Sequence, residues 1–187
     1  MMQTKLKGRA WTFGDSIDTD MITPGKYLAI IDPKGLAEHL LEGKDPEFAK
    51  RVKPGDIIVA GQNFGCGSSR EHAVAAMKGA EIGCVIAESF ARIFYRNSLN
   101  LALPILEVPD VSKNVKTGDV IEVDLTKGTV KNTTSGKTMQ GVALTDKAVE
   151  LLEAGGLVNI VRKKLHARGN VEHEVTPAPR HADLKRD

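Results

Sequence analysis

Apolar residues along this chain come in short runs broken by turn signals, and the runs change character past residue 110. Residues 8–13 (Gly-Arg-Ala-Trp-Thr-Phe) alternate and predict a short strand. A polar loop spans 14–26. Tyr27 to Ile31 are apolar and stop at the turn signal Asp32-Pro33. The stretch 34–41 has a weak helical pattern, and 45–50 adds a further helical turn. After the turn Lys53-Pro54-Gly55-Asp56, the run Ile57-Ile58-Val59-Ala60 reads as a buried strand. A glycine-rich loop at 61–67 leads to a helix predicted from Ser68 to about Gly79. Cys84 to Ala87 is the next buried strand, 90–99 a helix and 103–108 a strand. This strand–helix–strand–helix–strand rhythm predicts an α/β layer with parallel pairing.

Farther on, Val120 to Leu125 alternates as a half-buried strand. Lys127-Gly128 turns it into 129–132, which makes a hairpin. Residues 145–154 form a short amphipathic helix ended by Gly155-Gly156, and 157–165 closes the domain. The stretch 166–187 is polar and lacks apolar periodicity, so it reads as a tail outside a single domain spanning 1–165.

Composition narrows the function. A chain of 187 residues buries its own core without covalent staples. Its 26 basic and 24 acidic residues leave a formal charge of +2, too close to neutral to indicate nucleic acid or an anionic membrane. An aromatic share of 4% speaks against base-stacking platforms. The first residues lack the apolar run of a signal peptide, and no stretch approaches the roughly 20 apolar residues of a membrane span. A cytoplasmic protein is therefore expected. The two cysteines, Cys66 and Cys84, are too few for an iron–sulfur cluster, which takes about four ligands.

The chemistry concentrates in Gly61-Gln62-Asn63-Phe64-Gly65-Cys66-Gly67-Ser68-Ser69-Arg70-Glu71-His72-Ala73. The loop leaves a strand and enters a helix, so its free N–H groups and the helix dipole favour an anion at one spot. Ser68, Ser69 and Arg70 fall at that spot, and Arg70 can grip a carboxylate with two parallel contacts. A carboxylate pocket lined by hydroxyls is one reading. The other needs no ligand, because Ser68-x-x-Glu71 is also a capping box. Cys66 with His72 as its base would make a third chemistry. The GxxxxGK[ST] spacing of a nucleotide-binding loop is missing.

These residues resemble a known family. The stretch 63–73 is similar to the signature of the aconitase superfamily's swivelling domain. Ser89-Phe90-Ala91-Arg92-Ile93-Phe94 resembles its second signature, and Asp18-Thr19-Asp20-Met21-Ile22-Thr23-Pro24-Gly25 a third. The likeness covers about residues 7–165. It implies a three-layer β/β/α swivelling fold, like the fourth domain of aconitase. The length resembles that of the free-standing small subunits of isopropylmalate isomerases. That likeness implies a hydro-lyase of leucine biosynthesis that interconverts 2- and 3-isopropylmalate by dehydration and rehydration. A [4Fe–4S] cluster would reside on a large partner subunit, in a heterodimer or heterotetramer, and this chain would bind no cofactor alone.

The resemblance also implies residue roles. The first serine of the motif, Ser68, is the base. Ser69 and Arg70 meet substrate carboxylates, while Asp20 and Thr23 lie beside the site and orient it. Tyr27, Leu28, Ala29 and Ile30 align with the substrate-selecting loop. Relatives acting on tricarboxylates carry an arginine there, and this chain has none between Arg9 and Arg51. Isopropylmalate is therefore expected over citrate or homocitrate, with Lys26 as the one cation of the loop. The alternatives are a small subunit of homoaconitase or of another substituted-malate dehydratase, or a non-catalytic anion-binding regulatory module.

Overall fold

The computed structural model describes residues 4–167. Seven strands, β1 (Lys5–Thr12), β2 (Ile57–Ala60), β3 (Cys84–Ala87), β4 (Ile105–Glu107), β5 (Val120–Asp124), β6 (Thr129–Asn132) and β7 (Thr138–Gln140), lie in the order β4-β3-β2-β1-β5-β6-β7. The helices are α1 (Thr19–Ile22), α2 (Pro33–Ala37), α3 (Phe48–Arg51), α4 (Glu71–Gly79), α5 (Arg92–Asn100), α6 (Val111–Asn114), α7 (Asp146–Glu153) and α8 (Leu157–Ala167).

β1 belongs to two sheets at once. Its end, Ala10 to Thr12, pairs in parallel with β2, and its start, Lys5 to Arg9, pairs antiparallel with β5. The β4, β3, β2 half is parallel, as the alternation of strands and helices predicts, and β5, β6, β7 form an antiparallel meander. All residues of β2 and β3 are buried, because both faces of these strands are covered. Ile58, Ala60, Val85, Ala87 and Ile105 pack on the helical side with Leu36, Val74, Met77 and Phe94. Ile57, Val59, Cys84, Ile86 and Leu106 face the opposite way and share a core with Ile121, Val123, Val130 and Met139 of the meander. The sheet therefore curls over itself, giving the three-layer β/β/α order expected from the resemblance.

One buried polar group fastens β1 to β2. Asp56 is 6% exposed. It accepts hydrogen bonds from Trp11 Nε1 at 2.7 Å, Arg9 Nη2 at 3.0 Å and the Lys53 amide at 3.0 Å. Replacing Asp56 by alanine leaves the indole N–H unpaired inside the fold. The expected loss is about 2–4 kcal/mol in urea denaturation. A midpoint unchanged from the parent would contradict this account of the β1–β2 join.

Several boundaries differ from the sequence reading. The helix predicted from Ser68 begins at Glu71 with Arg70 as its N-cap, and no side chain caps it. The Ser68-x-x-Glu71 capping box is thus not formed, because the Arg70 amide is still turning back to the Ser68 carbonyl at 2.8 Å. The helix predicted over 90–99 starts at Arg92, since Phe64 O holds the Ala91 amide in an extended bridge. The four-residue α1 falls inside the stretch read as loop, where the Asp18 carboxylate caps the Met21 amide at 2.7 Å. β1 begins at Lys5 rather than residue 8 because β5 supplies a partner there. The last segment is helical through Ala167, and residues 168–187 of the sequence-read tail lie outside the described residues. Among the described residues, no helix is long and apolar enough to cross a membrane.

Candidate active site: a serine and an arginine where three loops meet

The loops that follow β1, β2 and β3 leave the same edge of the parallel half, and backbone hydrogen bonds sew them together. Asp18 and Cys66 form a parallel bridge, as do Phe64 and Phe90. The Thr19 amide donates to Cys66 O at 2.9 Å and the Gly65 amide to Ile17 O at 2.8 Å. On the other side, the Phe64 amide donates to Ser89 O at 3.0 Å and the Ala91 amide to Phe64 O at 2.9 Å. Asn63 N–H adds a 2.8 Å bond to Ser89 Oγ. The three stretches that carry the family resemblance, far apart in sequence, thus become neighbours around the central loop.

Gly65 and Gly67 have φ of +76° and +91°, values that side-chain-bearing residues rarely adopt. They turn the chain so that Ser68 and Ser69 stand exposed ahead of α4. Among the described residues, the amides of Gly67, Ser68 and Ser69 donate no hydrogen bond. These free donors face solvent at the start of a nine-residue helix, a setting that favours an anion. Thr19 Oγ1 donates to Ser68 O at 3.0 Å and lies 3.5 Å from Ser68 Oγ.

Arg70 is held rather than free. Its Nη1 pairs with Asp20 Oδ1 and donates to the Thr23 carbonyl at 3.2 Å, with the guanidinium side chain 17% exposed. The Arg70 hydrogen bond holds the Asp20 carboxyl below its ordinary value, and the Gly25 amide adds to the effect. Asp20 therefore aims the guanidinium and ties it to the turn that follows. Thr23 contributes through its carbonyl. Its hydroxyl is fully buried without a partner among the described residues, so it does not face an open site.

The segment aligned with the selecting loop is a 3₁₀ turn, Gly25–Tyr27, followed by Leu28 to Ile31. Leu28 and Ile31 are exposed by 39% and 91%, Ala29 is exposed and Ile30 half-buried. Leu28, Ala29 and Ile31 thus form an exposed apolar rim, while Ile30 packs against the helical-side core. Tyr27 turns its hydroxyl to the Glu42 carboxylate, 2.9 Å from either oxygen, and stacks on His39 at a centroid distance of 3.5 Å. Lys26 Nζ is 2.8 Å from Glu42 Oε1 and His39 Nδ1 is 2.8 Å from Oε2. These partners, Lys26 first, push the Glu42 carboxyl down to about 2. A depressed carboxylate stabilises the fold fully above its unfolded value and loses that contribution as pH falls through its folded value. The cluster is therefore expected to stay intact down to roughly pH 2–3. Carboxyl-carbon NMR should place the Glu42 midpoint far below 4.5, and a midpoint near 4.5 would contradict the cluster.

Reasoning from sequence missed Glu42 and His39, which sit in a stretch whose weak helical pattern gave no reason to single out a charge. It also gave Thr19 no role. The Cys66–His72 pair is not supported, since no hydrogen bond joins the two among the described residues. Cys84 is fully buried in β3, where desolvation pushes its thiol up. Among the described residues, no group of three or more His, Cys, Asp or Glu side chains is placed to hold a metal ion.

Fold and site together define a swivelling-type α/β domain that presents a serine hydroxyl, free amides and an anchored arginine at one edge. The aconitase C-terminal domain family matches residues 4–111, and the chain belongs to that family. The isopropylmalate/citramalate isomerase small subunit of Methanocaldococcus jannaschii is 53% identical over 164 residues, covering 88% of this chain and 98% of that one. The 3-isopropylmalate dehydratase small subunit of Aquifex aeolicus is 51% identical over 168 residues, covering 89% of this chain and all of that one. A crystal structure of 3-isopropylmalate dehydratase from M. jannaschii superposes with a TM-score of 0.83 at 48% identity, covering 88% of this chain and 98% of that one.

Proposed function

We propose that the chain is the small subunit of an isopropylmalate isomerase. It would interconvert 2- and 3-isopropylmalate in leucine biosynthesis, in the cytoplasm, together with a large iron–sulfur subunit. The observation that carries the reading is the joining of Ser68, Arg70 and Asp20 on one edge beside the apolar rim 28–31. The relatives just described bear names of this activity.

Each residue has a definable task in that reaction. The cluster on the partner, when present, supplies a Lewis acid for the substrate hydroxyl. Ser68 Oγ takes the proton from the carbon next to the one bearing the hydroxyl, and gives a proton back during rehydration. A serine alkoxide needs stabilising at neutral pH, and the free amides of the loop, the α4 N-terminus and the Arg70 charge supply it. Arg70 and Ser69 hold a substrate carboxylate, with Arg70 kept in position by Asp20 and the Thr23 carbonyl. Leu28, Ala29 and Ile30 receive the isopropyl group, whose burial contributes about 2 kcal/mol. A third carboxylate placed against them would cost several kcal/mol.

Citramalate is a second candidate substrate, because the M. jannaschii relative is an isopropylmalate/citramalate isomerase small subunit. Its methyl group would fill less of the same rim. The test is to co-express the chain with its cognate large subunit, reconstitute the cluster without oxygen, and follow the unsaturated intermediate by ultraviolet absorbance. The expected result is activity from the complex and from neither subunit alone. Full activity from the large subunit alone would overturn the reading.

A further inference from the structure

We propose that Glu42 is a positioning residue for side-chain selection. It latches the 25–31 segment in place and keeps the one cation of that segment, Lys26, away from the substrate. The inference rests on the functional reading above and on a side chain to which neither the resemblance nor the comparisons give a role.

The geometry is specific. Glu42 follows α2 in sequence, while Lys26 and Tyr27 close the 3₁₀ turn on the far side of the rim. One carboxylate gathers three groups: Lys26 Nζ at 2.8 Å, Tyr27 OH at 2.9 Å and His39 Nδ1 at 2.8 Å. His39 also stacks on the Tyr27 ring with an interplanar angle of 10°, and Lys26 Nζ lies 4.7 Å from the centre of the same ring. The Tyr27 ring is thus in contact with both His39 and Lys26, and its hydroxyl is used by Glu42. Residues 28–31 hang from this anchor, because the Leu28 amide donates to Gly25 O at 3.2 Å and the Ile30 amide to Tyr27 O at 3.0 Å.

The other end of the turn is anchored by the catalytic edge. Asp20, which aims Arg70, lies against the start of the turn, and the Gly25 amide helps hold its carboxyl down. A side-chain carbon placed on Gly25 would sit 3.6 Å from both Arg70 Nη2 and Asp20 Oδ1. Lys26 therefore follows directly on the glycine that approaches the carboxylate-binding arginine, so its release would add a cation next to that edge. Paired with Glu42, its charge is neutralised on the outer side of the turn, where its side chain is 63% exposed. The lack of an arginine in the selecting segment excludes a third carboxylate only while this lysine stays occupied. The exchange that Glu42 prevents is one carboxylate for another, its own for that of a tricarboxylate substrate.

The test uses the reconstituted two-subunit enzyme with Glu42→Ala, Glu42→Gln and the pair Glu42→Ala with Lys26→Ala. For Glu42→Ala, KM for isopropylmalate is expected to rise about tenfold while kcat stays within about twofold. Citrate, used as a competitive inhibitor, is expected to bind about tenfold more tightly to Glu42→Ala, and adding Lys26→Ala should cancel that gain. Glu42→Gln keeps an acceptor for Tyr27 but not the charge, so it should restore KM and leave citrate binding strengthened. Parallel losses of kcat and of all ligand affinities would make Glu42 merely structural and overturn the proposal, as would an unchanged citrate constant. Hydrogen exchange on the chain alone gives a readout independent of the substrate. In Glu42→Ala, the Leu28 and Ile30 amides should exchange at least about tenfold faster, with β2 and β3 unchanged. If the parent complex fails on isopropylmalate while this exchange result holds, the functional reading falls and the latch stands. If exchange over 25–31 does not change, the latch itself falls.

Discussion

Ser68→Ala in the reconstituted complex lowers kcat by on the order of 10²–10⁴-fold, with assembly and melting temperature unchanged. The two halves of this result come from different features. Turnover falls because, in the proposed mechanism, the Ser68 hydroxyl is the base, and it stands in the exposed turn 67–69 beside the free amides and Arg70. Stability holds because the side chain is exposed, and its nearest polar contact is Thr19 Oγ1 at 3.5 Å, the outer limit of a hydrogen bond. The substitution also removes no helix cap, since α4 is not capped by Ser68. If Ser68 were a cap and nothing more, the outcome would be reversed, with a stability loss of about 1 kcal/mol and near-normal turnover. Stopped-flow absorbance of the unsaturated intermediate, alongside thermal melting, separates the two.

Gly65→Ala produces the complementary loss, in which the fold of the site fails before chemistry is reached. A side-chain carbon at Gly65 would lie 2.2 Å from Phe94 Cγ and 2.5 Å from Phe94 Cβ, far inside contact distance. Phe94 is 2% exposed and packs edge-on against Phe64 at 5.3 Å, so it has nowhere to retreat. The backbone adds strain of its own, because φ at Gly65 is +76°. Overpacking and strain together cost about 3–5 kcal/mol. For a chain of this size that corresponds to a fall of roughly 10 °C in melting temperature. The bond from the Gly65 amide to Ile17 O is expected to break with it, parting the 63–73 loop from the 18–25 stretch. A variant that melts like the parent would show that the loop tolerates a different path, and the close approach of α5 would lose its meaning.

Much of this architecture was legible in the sequence because it follows from local pattern. The runs 57–60 and 84–87 are strands at the predicted residues, with both faces buried. The hairpin over 120–132 also forms where the alternation and Lys127-Gly128 placed it. What the pattern could not carry depends on distant partners. β1 extends back to Lys5 only because β5, more than a hundred residues later, pairs with it. β7 is three residues long, too short for any periodicity to show. The α4 start moved from Ser68 to Glu71 because two left-handed glycines and the bridge to Ile17 and Thr19 shape the loop, which a capping rule read along one segment does not include.

The candidate site divides in the same way. Ser68 and Arg70 stand out by residue type beside a glycine-rich turn. That Asp20 grips Arg70, and that the Thr23 carbonyl rather than its hydroxyl helps, emerges only when 18–25 and 63–73 are brought together. Glu42 left no mark in the sequence at all, because its meaning lies in three partners contributed by two turns.

The most direct test of the central claim is kcat/KM of the reconstituted complex for isopropylmalate, citrate and homocitrate in one assay. The account predicts turnover of isopropylmalate, with each tricarboxylate at least about a hundredfold poorer, because an unpaired carboxylate would face Leu28, Ala29 and Ile30. Comparable turnover of citrate or homocitrate would contradict it, and would mean that the apolar rim does not meet the substrate side chain.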